Sequence, residues 1–132
     1  MSSGTAAGGE GTEHRKRGVD KMSEVYGWDM ADGPGLHFAH TADQLFAEVW
    51  SREGLSNRDR RLLLLGLLAG SGHVDVAEIQ SAAALGNGEL TPEQLEEIAL
   101  FLCYYAGWPV GTKMNTIFGT AINNWRKAQK QD

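Results

Sequence analysis

The chain is poor in several residue types, and each shortage excludes a class of protein. One cysteine stands in 132 residues. The single Cys103 excludes an internal disulfide and any multi-cysteine metal site, and it fits a reducing compartment. Basic residues number 12 against 17 acidic ones, for a net charge of -5. That balance argues against a nucleic-acid binder, which needs a basic stripe. Long apolar runs are missing too. The longest, Leu62 to Ala69, is interrupted by Gly66 and falls far short of the roughly 20 residues that span a bilayer. No apolar stretch of about 7–15 residues follows a basic start, so no secretory leader is expected. These features predict a soluble, cytoplasmic chain with neither membrane nor nucleic acid as partner.

Chemical motifs are equally scarce. There is no phosphate loop, no G-x-G-x-x-G after a strand, no H-E-x-x-H and no G-x-S-x-G. His37 and His40 stand three apart in a loop without further ligands nearby, so no metal is expected. No segment alternates with a period of two, which disfavours sheet.

What is present is glycine and helical periodicity. Of 17 glycines, five fall within the first eighteen residues. Residues 1–12 carry no large apolar side chain after Met1, so a disordered tail is expected there. A single domain is expected over residues 13–132. Its first helix is predicted over Glu13–Tyr26, followed by a sticky loop from Trp28 to His40. Thr41 and Gln44 have the spacing of a capping box for a second helix. Ser56 and Asp59 start a third, whose run from Leu62 to Ala69 is apolar all round and predicts a helix covered on every side. Asp75 and Glu78 are read as the cap of a fourth helix ending at Gly86-Asn87-Gly88. Thr91-Pro92-Glu93-Gln94 gives the clearest start signal, with N-cap, proline at N1 and Gln at N3. That helix reaches Gly107, Trp108-Pro109 makes the connection, and a last helix carries Met114, Ile117, Phe118, Ala121, Ile122 and Trp125 on one stripe. The fold class is all-α, with about six helices.

Candidate functional residues follow from charge and helix face. Arg58, Arg60 and Arg61 open the third helix against its macrodipole, so they need partners, either carboxylates or a bound anion. His73, Val76 and Gln80 share a face if the fourth helix starts early, with Gln80 read as exposed or interfacial. Tyr104 and Tyr105 are expected to pack in the core, and Cys103 to be a buried, inert thiol.

Ala82-Ala83-Ala84-Leu85-Gly86-Asn87-Gly88, then Leu90-Thr91-Pro92-Glu93-Gln94-Leu95-Glu96-Glu97-Ile98, and finally Tyr105-Ala106-Gly107-Trp108-Pro109 together resemble the carboxymuconolactone decarboxylase family. The likeness extends over Leu45 to Ile122. It implies a fold shared with the alkylhydroperoxidase D-like proteins, assembled as a homo-oligomer, a trimer or hexamer. It also implies cofactor-independent decarboxylation, or related lyase chemistry, on a lactone or cyclic carboxylic acid, as in aromatic-compound catabolism. The redox branch of the family carries Cys-x-x-Cys-x-x-x-His where this chain has His73, Val76 and Gln80, so a thiol peroxidase is disfavoured. The decarboxylase branch carries Glu and His at Val76 and Gln80, and a further His at Phe101. The acid–base groups are therefore missing from their usual places. On type and face, Gln80, His73, Tyr104 and Tyr105 are the candidate catalytic residues, with Arg61 and Trp108 as candidate substrate-binding residues. A non-catalytic ligand-binding or accessory protein on the same fold is the alternative.

Overall fold

In a computed structural model, the backbone is described for residues 4–131 and the side chains for residues 11–131. The tail expected at residues 1–12 lies largely outside the described side chains. The described residues form six α-helices, one π-helix and a short 3-10 turn, and no strand occurs among them. The all-α reading holds. The chain divides into two compact units, Met1–Leu55 and Ser56–Asp132, within the segment expected as one domain.

The first unit contains α1 (Gly4–Tyr26), α2 (Leu36–His40) and the π-helix Thr41–Val49. Thr41 does not cap a helix. Leu36–His40 is already helical, so the chain enters Thr41 with His40 at φ -67° and ψ -36°, and Thr41 Oγ1 donates back to the His37 carbonyl at 2.8 Å. The capping geometry needs an extended residue, which the preceding turn denies. Ala42, Phe46 and Trp50 recur every fourth residue and are all buried. The wide π turn keeps such a row nearly in line. Phe46 stacks on Trp50 with ring centroids 6.0 Å apart, and Tyr26 lies 5.6 Å from Phe46. Gly18 lets α1 meet this row closely, since a Cβ there would stand 1.9 Å from the Ala42 carbonyl oxygen.

One ion-pair cluster ties this unit together. Arg15 grips Asp43 with two nitrogens at 2.7 and 3.0 Å and reaches Asp32 at 2.9 Å. The hydrogen bonds from Arg15 hold the Asp43 carboxyl below its ordinary value, against the opposing effect of burial. The same bonds push the Arg15 guanidinium upward.

The second unit contains α3 (Asn57–Ser71), the turn Val74–Val76, α4 (Ala77–Gly86), α5 (Pro92–Tyr105) and α6 (Trp108–Gln131). Ser56 caps α3 as expected, accepting from the Asp59 amide at 3.0 Å. The expected burial of α3 on every side is not observed. Leu65 and Ala69 are buried, but Leu63 and Leu67 are each 65% exposed. Within this unit α3 packs along one stripe, on α4 and α6, and its other apolar side chains are left over. Asp75 does not cap α4 either. It sits inside the 3-10 turn, and α4 starts after Val76 with no side-chain cap.

Thr91 behaves as its sequence predicts. Its hydroxyl accepts from the Gln94 amide at 3.1 Å, and the Gln94 side chain accepts from the Thr91 amide at 3.0 Å. Leu90 and Leu95, the N′ and N4 positions, both join the core in the manner of a hydrophobic staple. Trp108 and Pro109 open α6 instead of forming a loop. The turn is made by Ala106 and Gly107, the latter at φ 105°, and proline is well suited to the start of a helix, where its missing N–H costs nothing. The core joins Leu65, Leu85, Leu95, Met114, Phe118 and Ile122 with small residues of α4 and α5. Gly111 of α6 sits against Cys103 of α5, so close that a Cβ there would lie 2.6 Å from the Cys103 Cα.

Candidate functional site

The third helix brings Arg61 inward, and the side chain is completely buried. A guanidinium in such a place needs a counter-charge and acceptors for its donors. Glu89, from the turn between α4 and α5, supplies the charge. Arg61 Nε donates to Glu89 Oε1 at 2.8 Å and a terminal nitrogen to Oε2 at 3.2 Å. The Glu89 side chain is itself only 9% exposed. Asn87 Nδ2 donates to the same carboxylate at 3.3 Å, and Arg58 Nε donates to the Glu89 carbonyl at 3.0 Å. Arg61 therefore finds a carboxylate, the first of the two possibilities its sequence position raised, and Arg58 a backbone carbonyl.

The other terminal nitrogen of Arg61 donates to Gln80 Oε1 at 2.6 Å. Gln80 lies on α4 and is buried, 9% exposed, within a single copy of the chain, where its sequence suggested an exposed or interfacial position. Helix periodicity places it beside Ser81, Ala84 and Ala77, all fully buried, and only the Arg61 contact makes that position tolerable for an amide. Arginine has donors and no acceptor, so the amide must turn its oxygen to Arg61 and its Nε2 away. Among the described residues nothing accepts a hydrogen bond from that Nε2. A donor shielded from water without an acceptor costs about 1–3 kcal/mol, so this N–H favours a partner that can accept from it.

The remaining candidates lie elsewhere. His73 is exposed at the end of α3, its Nδ1 2.9 Å from the Ser71 hydroxyl. Tyr104 and Tyr105 are 73% and 80% exposed, which corrects the expectation that they fill the core. The buried row of α5 is Pro92, Leu95, Ala99 and Cys103, so the two tyrosines fall on the opposite side. They join exposed Leu100, Phe101 and Trp108 in an aromatic face, with Phe101 4.9 Å from Tyr105 and Tyr104 5.6 Å from Trp108 between ring centroids. No hydrogen bond links His73, Tyr104 or Tyr105 to Gln80 among the described residues. Cys103 is buried, as its helix position implied. Among the described residues no group of three His, Cys, Asp or Glu side chains is placed to hold a metal ion, and no helix is long and apolar enough to cross a membrane.

Sequence reasoning brought forward Arg61 and Gln80 but missed Glu89. Its only signal is an acidic residue directly before the buried Leu90 and the Thr91 cap, a place where the staple fixes chain direction.

The sequence profile of the carboxymuconolactone decarboxylase family matches residues 37–115. The chain belongs to this family. A curated relative, the 4-carboxymuconolactone decarboxylase of Acinetobacter baylyi (strain ATCC 33305 / BD413 / ADP1), is 36% identical over 64 residues. The aligned segment covers 48% of this chain and 47% of that protein, so the chain spans about half the length of this curated relative. No solved structure matches the chain significantly. The family match includes Arg61, Gln80 and Glu89.

Proposed function

We propose that the protein is a cofactor-independent lyase of the carboxymuconolactone decarboxylase kind, acting on a lactone or cyclic carboxylic acid such as 4-carboxymuconolactone. The observation that carries this reading is the Gln80 amide, buried on α4 with its oxygen held by Arg61 and its Nε2 without an acceptor among the described residues. In decarboxylation the carbon–carbon bond to the carboxylate breaks and carbon dioxide leaves. The electron pair moves to the lactone carbonyl oxygen as an enolate, and a proton from solvent returns the pair to carbon. A fixed N–H donor is matched to that enolate oxygen, since a preorganised donor in a dry site strengthens as charge develops. Arg61 then acts behind Gln80 and not as the direct anchor of the substrate carboxylate, because the side chain is completely buried and each of its three nitrogens already donates to Glu89 or Gln80.

The exposed aromatic face of α5 supports assembly into a homo-oligomer. Tyr104, Tyr105 and Trp108 serve in this reading as the face that a second copy covers.

Val76, Gln80 and Phe101 occupy positions where the family resemblance calls for acid–base groups, and this favours a second reading, ligand binding without turnover. The two are separated by incubating the purified chain with 4-carboxymuconolactone and measuring carbon dioxide release. Turnover that falls about 100-fold in Gln80→Ala supports the lyase. Tight binding without turnover supports the second reading, and full turnover in Gln80→Ala removes Gln80 from the chemistry.

A further inference from the structure

We propose that Glu89 is a positioning residue, which acts through Arg61 to set the orientation of the Gln80 amide; its catalytic consequence rests on Gln80 being the donor proposed above. The geometry forms a chain with one sense. Glu89 is fixed independently of Arg61. Its amide and that of Leu90 both donate to the Ala84 carbonyl, at 2.9 and 3.2 Å. Its own carbonyl accepts from Arg58, its carboxylate accepts from Asn87, and the next residue is locked in the core. The carboxylate therefore meets Arg61 from a rigid turn.

The two-pronged contact engages Nε and one terminal nitrogen of Arg61. A planar guanidinium held by that edge has its other terminal nitrogen aimed in one direction. That direction is occupied by Gln80 Oε1 at 2.6 Å. Because arginine only donates, the amide has one permitted flip, with Nε2 turned away from the pair. Glu89 thus determines, two hydrogen bonds away, which end of Gln80 faces a ligand. Glu89 also supplies the counter-charge for Arg61, so Gln80 offers a hydrogen-bond donor beside a compensated cation.

The test uses the full chain labelled with nitrogen-15. The side-chain NH2 pair of Gln80 is identified by its loss in Gln80→Ala. Glu89→Gln keeps the size of residue 89 and removes its charge. Its expected effect is a moved Gln80 NH2 pair that exchanges faster with water, and a kcat lowered about tenfold with KM little changed. A purely structural role would lower the melting temperature and leave the NH2 pair of the folded protein in place. An unmoved pair overturns the proposal. A moved pair with unchanged kcat upholds the positioning role and removes Gln80 from the reaction, so the two readings fail separately. Should Glu89→Gln not fold, Glu89→Asp is measured in the same way, because its shorter reach withdraws the carboxylate from the guanidinium edge while keeping the charge. An unmoved pair there overturns the proposal equally.

Discussion

Replacing Gly111 by alanine tests the packing of α5 against α6. The new Cβ would lie 2.3 Å from Cys103 Sγ, 2.6 Å from its Cα and 2.8 Å from its amide nitrogen. The sulfur can rotate away, but the Cα and nitrogen are backbone, so relief requires the two helices to separate. Ordinary contact begins near 3.4 Å, which asks for a shift of most of an ångström along a buried seam. Overpacking of this kind costs about 1–3 kcal/mol, and the upper end applies because backbone must move. Alanine also gains about 1 kcal/mol of helix propensity over glycine, leaving a net loss of about 2 kcal/mol. Gly119 lies on the same helix with nothing within 4 Å of its added Cβ, so Gly119→Ala should gain up to about 1 kcal/mol. Urea unfolding followed by circular dichroism reads both. Cys103→Ala combined with Gly111→Ala should not restore stability, since the backbone atoms remain. A Gly111→Ala protein as stable as Gly119→Ala would refute the close approach of α5 and α6.

Gly18→Ala makes the same test in the first unit, where the clash is with the Ala42 carbonyl oxygen; a loss of about 2 kcal/mol in urea unfolding is expected. Thr91→Ala removes one half of a reciprocal capping box and should cost about 1 kcal/mol, read as a lower thermal midpoint. Asp43 has a folded pKa below its unfolded value because Arg15 binds its charged form. Its contribution is therefore fully present above about pH 4, the unfolded carboxyl range, and is lost as pH falls through the lower folded value. With its side chain 32% exposed, solvent screening limits the effect to about 1 kcal/mol, and Asp43→Asn should flatten that acidic limb in tryptophan-monitored unfolding. Phe101→Glu with Tyr105→Glu alters only exposed side chains, so the folded subunit should persist while sedimentation velocity shows a smaller species.

Local signals were readable wherever the chemistry is local. The Thr91 box is complete within four residues, and Ser56 needs only the amide of Asp59. The same logic failed at Thr41 and Asp75 because neighbouring turns had already begun, and a cap exists only if the residue before the helix is extended. Arg61 announced itself as a charge against the macrodipole. Glu89 did not, because what buries it is the meeting of a turn with α3, 28 positions away in the sequence. Gln80 was misplaced for the same reason, since a polar side chain on a helix looks exposed until its distant partner is known.

The clearest departure from sequence pattern lies on α5, and it bears on function. Reading hydrophobicity alone puts the largest side chains inside, yet beyond Leu95 α5 buries Ala99 and Cys103 and leaves Leu100, Phe101, Tyr104 and Tyr105 outside. The small residues are what permit Gly111 to approach, so close packing with α6 has claimed the small side and left the large one without cover. A contiguous apolar face of this kind is uncommon on a monomer and marks an interaction site. The sequence pattern was therefore not misleading about how much apolar surface must be buried. It was silent about which surface a single copy of the chain could bury by itself. The same separation runs through the candidate site, where the inward side of α3 and α4 fixes the Arg61–Gln80 contact while Leu63, Leu67, Val76 and Ile79 stay exposed. Covering those outward faces by a second copy would also dry the surroundings of Gln80, and a hydrogen-bond donor aimed at developing charge is strongest where water is excluded. Assembly and catalysis are thus expected to rise and fall together in Phe101 and Tyr105 variants, while Gln80→Ala should lower turnover about 100-fold and leave the assembly whole.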